Sequence, residues 1–131
     1  MRTAKLTFIC VILSIFVLAI VGGIFLAEGA LHPGRRPLLA VDRRQAVEMA
    51  NLNATDLTDI NIAAIDGAVL RAWNLRPRKH FANAVILSHG LSDNRAGMMG
   101  YAQFFLRHGY DVLMPDARAH GISGGEIATY G

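Results

Sequence analysis

The chain opens on one long apolar run and then alternates short apolar segments with polar breaks. Leu6 to Ala27 spans 22 positions without a charge. As a helix it reaches about 33 Å at roughly 1.5 Å per residue, enough for a hydrocarbon core of about 30 Å. The pattern predicts a tail at 1–5, a transmembrane anchor at 6–27, a linker with a short helix at 28–57 and a globular part at 58–131. Thr7 and Ser14 fall inside the run, where each can hydrogen-bond back to its own helix. Arg2 and Lys5 also suit a secretory signal peptide, whose apolar region is shorter, about 7–15 residues. Two readings follow: a single-pass anchor in the plasma membrane, or secretion after cleavage. Arg2 and Lys5 face Arg35, Arg36, Arg43 and Arg44 across the run, so the positive-inside rule does not set the orientation. A short N-terminal tail stays inside easily, which favours a globular part outside the cytoplasm.

After the run, Leu31-His32-Pro33-Gly34-Arg35-Arg36-Pro37 reads as a linker, because proline and glycine break helices. Asp42 and Gln45 have the spacing of a capping box, with Asp42 as N-cap, and predict a helix to about Ala50 that Asn51-Leu52-Asn53 ends. Thr58–Ile65 and Ala68–Leu75 read as strands joined by a two-residue turn at Asp66-Gly67, with Trp73 packed in the second. Arg76 to His80 reads as a charged loop. Ala84 to Ser88 is a continuous apolar run of strand length, of the kind buried on both faces in a parallel sheet. A helix is expected from about Ala96 to Arg107, where Met98, Tyr101, Ala102, Phe105 and Leu106 recur near helical spacing as core positions. His108-Gly109 closes it, with glycine where left-handed geometry is favoured. Tyr110–Met114 is the next strand, stopped by Pro115-Asp116. Residues 84–115 thus form a strand–helix–strand unit, and the fold class is α/β.

Composition changes this picture little. The hydrophobic fraction is 53% and charged residues are 18%, which excludes a disordered polyelectrolyte. The net charge is +3. Setting aside Arg2 and Lys5 leaves eleven basic residues against all ten acidic ones after Ala27. The sequence pI of 9.5 is therefore no argument for nucleic acid, and none is expected as a partner. Cys10 is the single cysteine, so no intrachain disulfide or cysteine zinc site can form. His89, His108 and His120 lack a recognised metal-ligand spacing, and neither metal nor other cofactor is expected.

Taken in order, the apolar strand ending in His89-Gly90, then Asp93-Asn94-Arg95, then His108-Gly109-Tyr110, then Asp116-Ala117-Arg118-Ala119-His120-Gly121-Ile122-Ser123-Gly124-Gly125 resemble the N-terminal half of an α/β-hydrolase. Bacterial serine aminopeptidase-like (S33-type) and acyl-esterase-like hydrolases are the nearest group. Leu31-His32-Pro33, Arg35-Arg36-Pro37 and the Asp66-Gly67 hairpin are similar to the lead-in of its membrane-tethered members. The likeness covers roughly residues 31–131. Ala119 departs from it, since the family usually has glycine there; a positive φ would make that alanine strained.

The resemblance implies hydrolysis of an ester, thioester or peptide bond by an activated serine, which needs preorganised N–H donors for the developing oxyanion. The backbone N–H of Leu91 would be one donor, with Gly90 letting the chain approach the substrate and His89 orienting the loop. Asp116, Arg118, His120, Gly121 and Ser123 would brace the loop after the fourth strand. Gly121-Ile122-Ser123-Gly124-Gly125 matches G-x-S-x-G, but a nucleophile elbow needs a strand directly before it and a helix directly after. Ser123 follows a polar loop, and no histidine comes after it. Ser14, Ser88 and Ser92 are no better placed. The nucleophile, acid and base are therefore expected outside these residues. The chain reads as an N-terminal piece, inactive by itself, with the lipid bilayer and a small acyl or peptide substrate as partners of the complete protein. A non-catalytic membrane-anchored binding module is the alternative. The family's strand order, 1-2-4-3-5, would leave Ala84–Ser88 as an exposed apolar edge.

Overall fold

A computed structural model describes residues 2–79 and 81–129; His80, Tyr130 and Gly131, on which parts of the expectations above fall, lie outside them. The described chain divides into two units, 1–32 and 33–131.

The first unit is one helix, α1 (Arg2–Leu31). Its stretch Lys5–Leu31 is long and apolar enough to cross a membrane, with a mean hydropathy of 3.0 over its most apolar 18 residues. The helix extends beyond the expected 6–27 at both ends, because nothing before Pro33 interrupts it. The Thr7 hydroxyl donates to Thr3 O at 3.0 Å and the Ser14 hydroxyl to Cys10 O at 2.9 Å. Both hydroxyls are thereby satisfied inside their own helix.

The second unit contains α2 (Ala40–Leu52), β1 (Thr55–Ala63), β2 (Val69–Pro77), β3 (Ala84–Ile86), a 3-10 turn at Arg95–Met98 running into α3 (Met99–Arg107), and β4 (Asp111–Pro115). The strands form one mixed sheet in the order β1-β2-β4-β3, the order the resemblance implies. β1–β2 and β2–β4 are antiparallel, and β3–β4 is parallel. Ala46, Met49 and Ala50 of α2 and Ala102 and Leu106 of α3 share a core with Trp73, Leu75, Val112 and Met114 of the sheet. Trp73 is fully buried, with the Arg95 guanidinium 5.4 Å from its ring centroid.

Several boundaries differ from expectation. α2 starts before Asp42, with Leu39 as its N-cap. Asp42 is therefore an N3 residue, and its carboxylate accepts from the Leu39 N–H at 2.8 Å. That is the reaching-back half of a capping box, and leucine has no acceptor for the other half. The β1–β2 turn is not the two-residue type. Gly67 N–H donates to Ala64 O at 2.9 Å and Ala64 N–H to Ala68 O at 2.8 Å, giving a three-residue loop. Only Gly67 takes positive φ there, at 85°, and Asp66 uses its side chain to accept from Ala68 N–H instead. Such a loop ends in a left-handed residue, where glycine is cheapest. β3 ends at Ile86, although Leu87 N–H still bonds Leu113 O at 2.9 Å. It is an edge strand, so Ile86 and Ser88 are exposed rather than buried. Tyr101 is also exposed, because α3 turns Ala102 and Leu106 inward instead.

Candidate functional site

β3 and β4 run in the same direction, and the loops that follow them meet at the carboxyl ends of the strands. In open α/β sheets ligands bind in the crevice at that end. A pocket of about 320 Å³ opens there, lined by Leu70, Ser88, His89, Pro115, Asp116, Ala117, Arg118 and Thr129. A larger groove of about 1150 Å³, with Arg78, Lys79, Phe81 and Arg107 in its wall, lies at the opposite end. Among the described residues, none of those expected to form or brace the oxyanion loop lines it.

Asp116 organises the crevice. It is fully buried, as is Arg95. One carboxylate oxygen accepts from the Arg95 main-chain N–H at 2.7 Å; the other accepts from the Arg95 guanidinium at 2.8 Å and from Ile122 N–H at 2.9 Å. A buried charge is tolerable only when paired and hydrogen-bonded in this manner. Gly121 is required by the same group: a Cβ there would lie 2.1 Å from an Asp116 oxygen, and its φ is +49°. One acidic side chain thereby ties the entry to α3 to the loop after β4.

His89 links the two loops. Ala117 N–H donates to its Nε2 at 3.0 Å, so Nε2 carries a lone pair. Its Nδ1 therefore bears the proton and donates to Gly90 O at 2.8 Å. Both ring nitrogens are spent on main chain, which fixes a neutral tautomer and leaves no free base. His120 is buried with its ring 5.2 Å from that of His89. Its Nδ1 bonds Arg118 O at 2.8 Å, while its Nε2 has no partner among the described residues.

The turn after β3 is open. A Cβ on Gly90 would meet nothing within 4 Å, and its φ is not positive. Protein packing therefore does not demand glycine there. The Leu91 N–H makes no hydrogen bond to a described residue, and Leu91 is exposed. Ser92 follows with φ +60°, and Gly90 O accepts from Asp93 N–H at 3.3 Å to close the turn.

Ser123 sits in the opposite condition. Buried in the loop after β4, its hydroxyl donates to Asp116 O at 2.8 Å and accepts from Arg71 N–H at 2.8 Å. It pins that loop to β2, and no helix follows it among the described residues. Ser14 lies in α1, and Ser88 and Ser92 are exposed. No serine hydroxyl bonds a histidine among the described residues.

The linker closes on the same loops, a connection invisible in sequence. The Arg36 guanidinium donates to Asp93 at 2.7 Å and lies 3.4 Å from Asp42. Arg35 donates to Gly125 O, and the Asn94 amide to Pro37 O at 3.1 Å. Arg36 holds the Asp93 carboxyl below the usual carboxylate range, chiefly by hydrogen bonding. Across the crevice Arg118 pairs with Asp66 of the hairpin at 2.6 Å and lowers that carboxyl likewise. Arg118 is thus a hairpin brace as well as a loop residue. The spacing of Arg36 and Asp93, far apart in sequence, carried no signal of this pairing.

The fold and this crevice define an esterase-like hydrolase fold. The Pyrococcus furiosus esterase Pf2001 superposes in three crystal forms. In space group P21 the TM-score is 0.60 at 27% identity, covering 76% of this chain and 36% of that one. The C2221 and P212121 forms give 0.58 each, at 27% and 26% identity, over 34% and 35% of their length. An uncharacterized Bacillus subtilis protein, YqkD, is 41% identical over 49 residues, which are 37% of this chain and 16% of YqkD. The chain thus spans about a third of the esterase and about a sixth of YqkD. No family profile matches it.

Proposed function

We propose that the chain carries the oxyanion-loop part of a membrane-anchored serine hydrolase that cleaves acyl bonds, esters first. The observation that supports this most is the turn after β3. It presents a Leu91 N–H without a hydrogen bond to any described residue, beside a glycine that packing does not require, at the carboxyl end of a parallel pair. A donor in that condition suits a developing oxyanion, and each such donor is worth about 3–4 kcal/mol in a transition state. His89 orients the turn, and Asp116, Arg118, His120, Gly121 and Ser123 hold its neighbour. The attacking serine, its base and its acid are assigned to none of the described residues. The serine aminopeptidase-like and acyl-esterase-like hydrolases remain the proposed relatives. α1 is proposed as the single-pass anchor, with the second unit outside the cytoplasm; a cleaved signal is the other reading of the same helix.

The test is a chimera. Residues 33–131 replace the matching first third of the Pyrococcus furiosus esterase, and a fluorophosphonate probe is applied. The 131-residue chain alone stays unlabelled, whereas the chimera is labelled at the esterase's own serine. A chimera that melts cooperatively yet takes no label would overturn the proposal and favour a non-catalytic binding module.

A further inference from the structure

The rim of the crevice carries four large aliphatic side chains with no core to pack in. Leu91 follows β3, Ile122 and Ile127 follow β4, and Ile65 sits at the tip of the β1–β2 hairpin. β2 opposes β4, with Ala72 beside Pro115, so the hairpin tip leaves the sheet at the same end as the two loops. Topology therefore gathers all four at one edge, and each is at least 46% exposed. Ile65 and Ile127 line one shallow pocket with Arg118 and Thr129, and those two residues also line the crevice. Of the nearby charges Arg36 pairs with Asp93 and Arg118 with Asp66, while Arg35 and Glu126 add one charge of each sign. What the rim offers a partner is aliphatic surface, without net charge or aromatic stacking. Exposed apolar patches of this kind mark protein or membrane contacts.

The occupant follows from where the chain enters. Arg35 and Arg36 are tied to this rim through Gly125 and Asp93. Only His32, Pro33 and Gly34 separate Arg35 from the end of a stretch apolar enough to cross a bilayer. We infer that the rim formed by Ile65, Leu91, Ile122 and Ile127 docks on a lipid bilayer, inserting its aliphatic side chains at the headgroup–acyl boundary. Shallow burial of an apolar face is how interfacial elements hold to membranes. Because the rim charges balance in sign, docking is insensitive to lipid charge and to salt. The inference rests on the proposed reading of α1 as an anchor and not on the chemistry proposed for the crevice.

The test uses the full chain with Cys10→Ser, reconstituted into phosphatidylcholine vesicles. A single cysteine replaces Ile65, Ile122 or, at the opposite end of the sheet, Lys79, and carries an environment-sensitive fluorophore. Lipids spin-labelled near the headgroup quench the two rim positions several-fold more than position 79, with or without phosphatidylglycerol or added salt. A label at Ile127→Cys loses most of its quenching when Ile65→Asn and Ile122→Asn are combined, while the melting midpoint stays unchanged. Equal quenching at both ends, or none at the rim, overturns the inference. So does shielding of the rim labels from iodide in detergent: shielding lost on dilution assigns the rim to a second copy, and shielding that persists assigns it to the chain itself.

Discussion

Ala119 holds φ +58° while 2% exposed, a buried alanine in the region that favours glycine. The left-handed conformation costs a residue with a Cβ about 1–2 kcal/mol. Glycine would lose about 0.5–1 kcal/mol to the greater freedom of its unfolded chain. Ala119→Gly should therefore stabilise the second unit by about 0.5 kcal/mol, raising its melting midpoint by roughly 2–4 °C. A lower midpoint in a thermal melt would show that the methyl packs better than its backbone suffers. Gly121 presents the reverse situation. Gly121→Ala adds a left-handed penalty and drives a methyl into the Asp116 carboxylate, which Arg95 needs. A loss of at least about 3 kcal/mol is expected in denaturant titration, since displacing one partner strands a buried charge. Ser123→Ala leaves the Arg71 N–H without its partner and should cost about 1–3 kcal/mol. In the esterase chimera the same substitution should leave probe labelling intact. Label recovered on Ser123 of the unsubstituted chimera, rather than on the esterase's own serine, would make this hydroxyl the nucleophile after all.

Among the elements, the linker is held by charge and the helices by periodic packing. Arg36 lowers the Asp93 carboxyl, so the clamp is complete above about pH 4 and fails as pH falls through the depressed value. The pair is partly solvated, and its contribution stays below about 1 kcal/mol. A carboxyl-carbon NMR titration should place the Asp93 midpoint below the ordinary aspartate value of about 3.9, and Arg36→Gln should return it to the ordinary range. An Asp93 midpoint that Arg36→Gln does not move would mean that the clamp does not form in solution. None of this was legible in the linker, whose proline, glycine and arginines signal only a break in the helix. Local patterns were legible where one rule governed the backbone. Gly109 takes φ +75° after α3, and Gly67 φ +85° in the hairpin, where glycine was expected. Two rules competed at the start of α2, where Asp42 resembles an N-cap but serves as N3. In the hairpin, Asp66-Gly67 marked the turn but not its length, because Asp66 keeps a negative φ and bonds Ala68 through its side chain. For the crevice, sequence order identified the loops after β3 and β4. The His89–Ala117 bond, the orphaned His120 Nε2 and the Asp66–Arg118 brace depend on long-range placement that no local pattern encodes.

At the scale of the molecule, the sheet has an edge of a hazardous kind. Among the described residues β3 is paired only with β4, and its other side presents main-chain donors and acceptors without a strand partner. Ile86 is 65% exposed, and the strand contains no charge, proline or bulge to discourage pairing. Natural edges carry such devices because a bare apolar edge is a template for another strand. Residues 33–131 expressed alone should therefore associate in a concentration-dependent manner, and sedimentation velocity should show species heavier than a monomer. Ile86→Lys places a charge on that edge without touching the core, since the side chain already faces solvent. It should shift the distribution toward monomer and leave the circular dichroism spectrum unchanged. The charge discriminates between two sources of association. If the β3 edge drives it, Ile86→Lys disperses the assemblies, whereas Ile65→Asn and Ile122→Asn at the rim do not. If the rim substitutions disperse them and Ile86→Lys has no effect, the sheet edge is protected in some other way, and the aliphatic rim is the surface that binds a second copy.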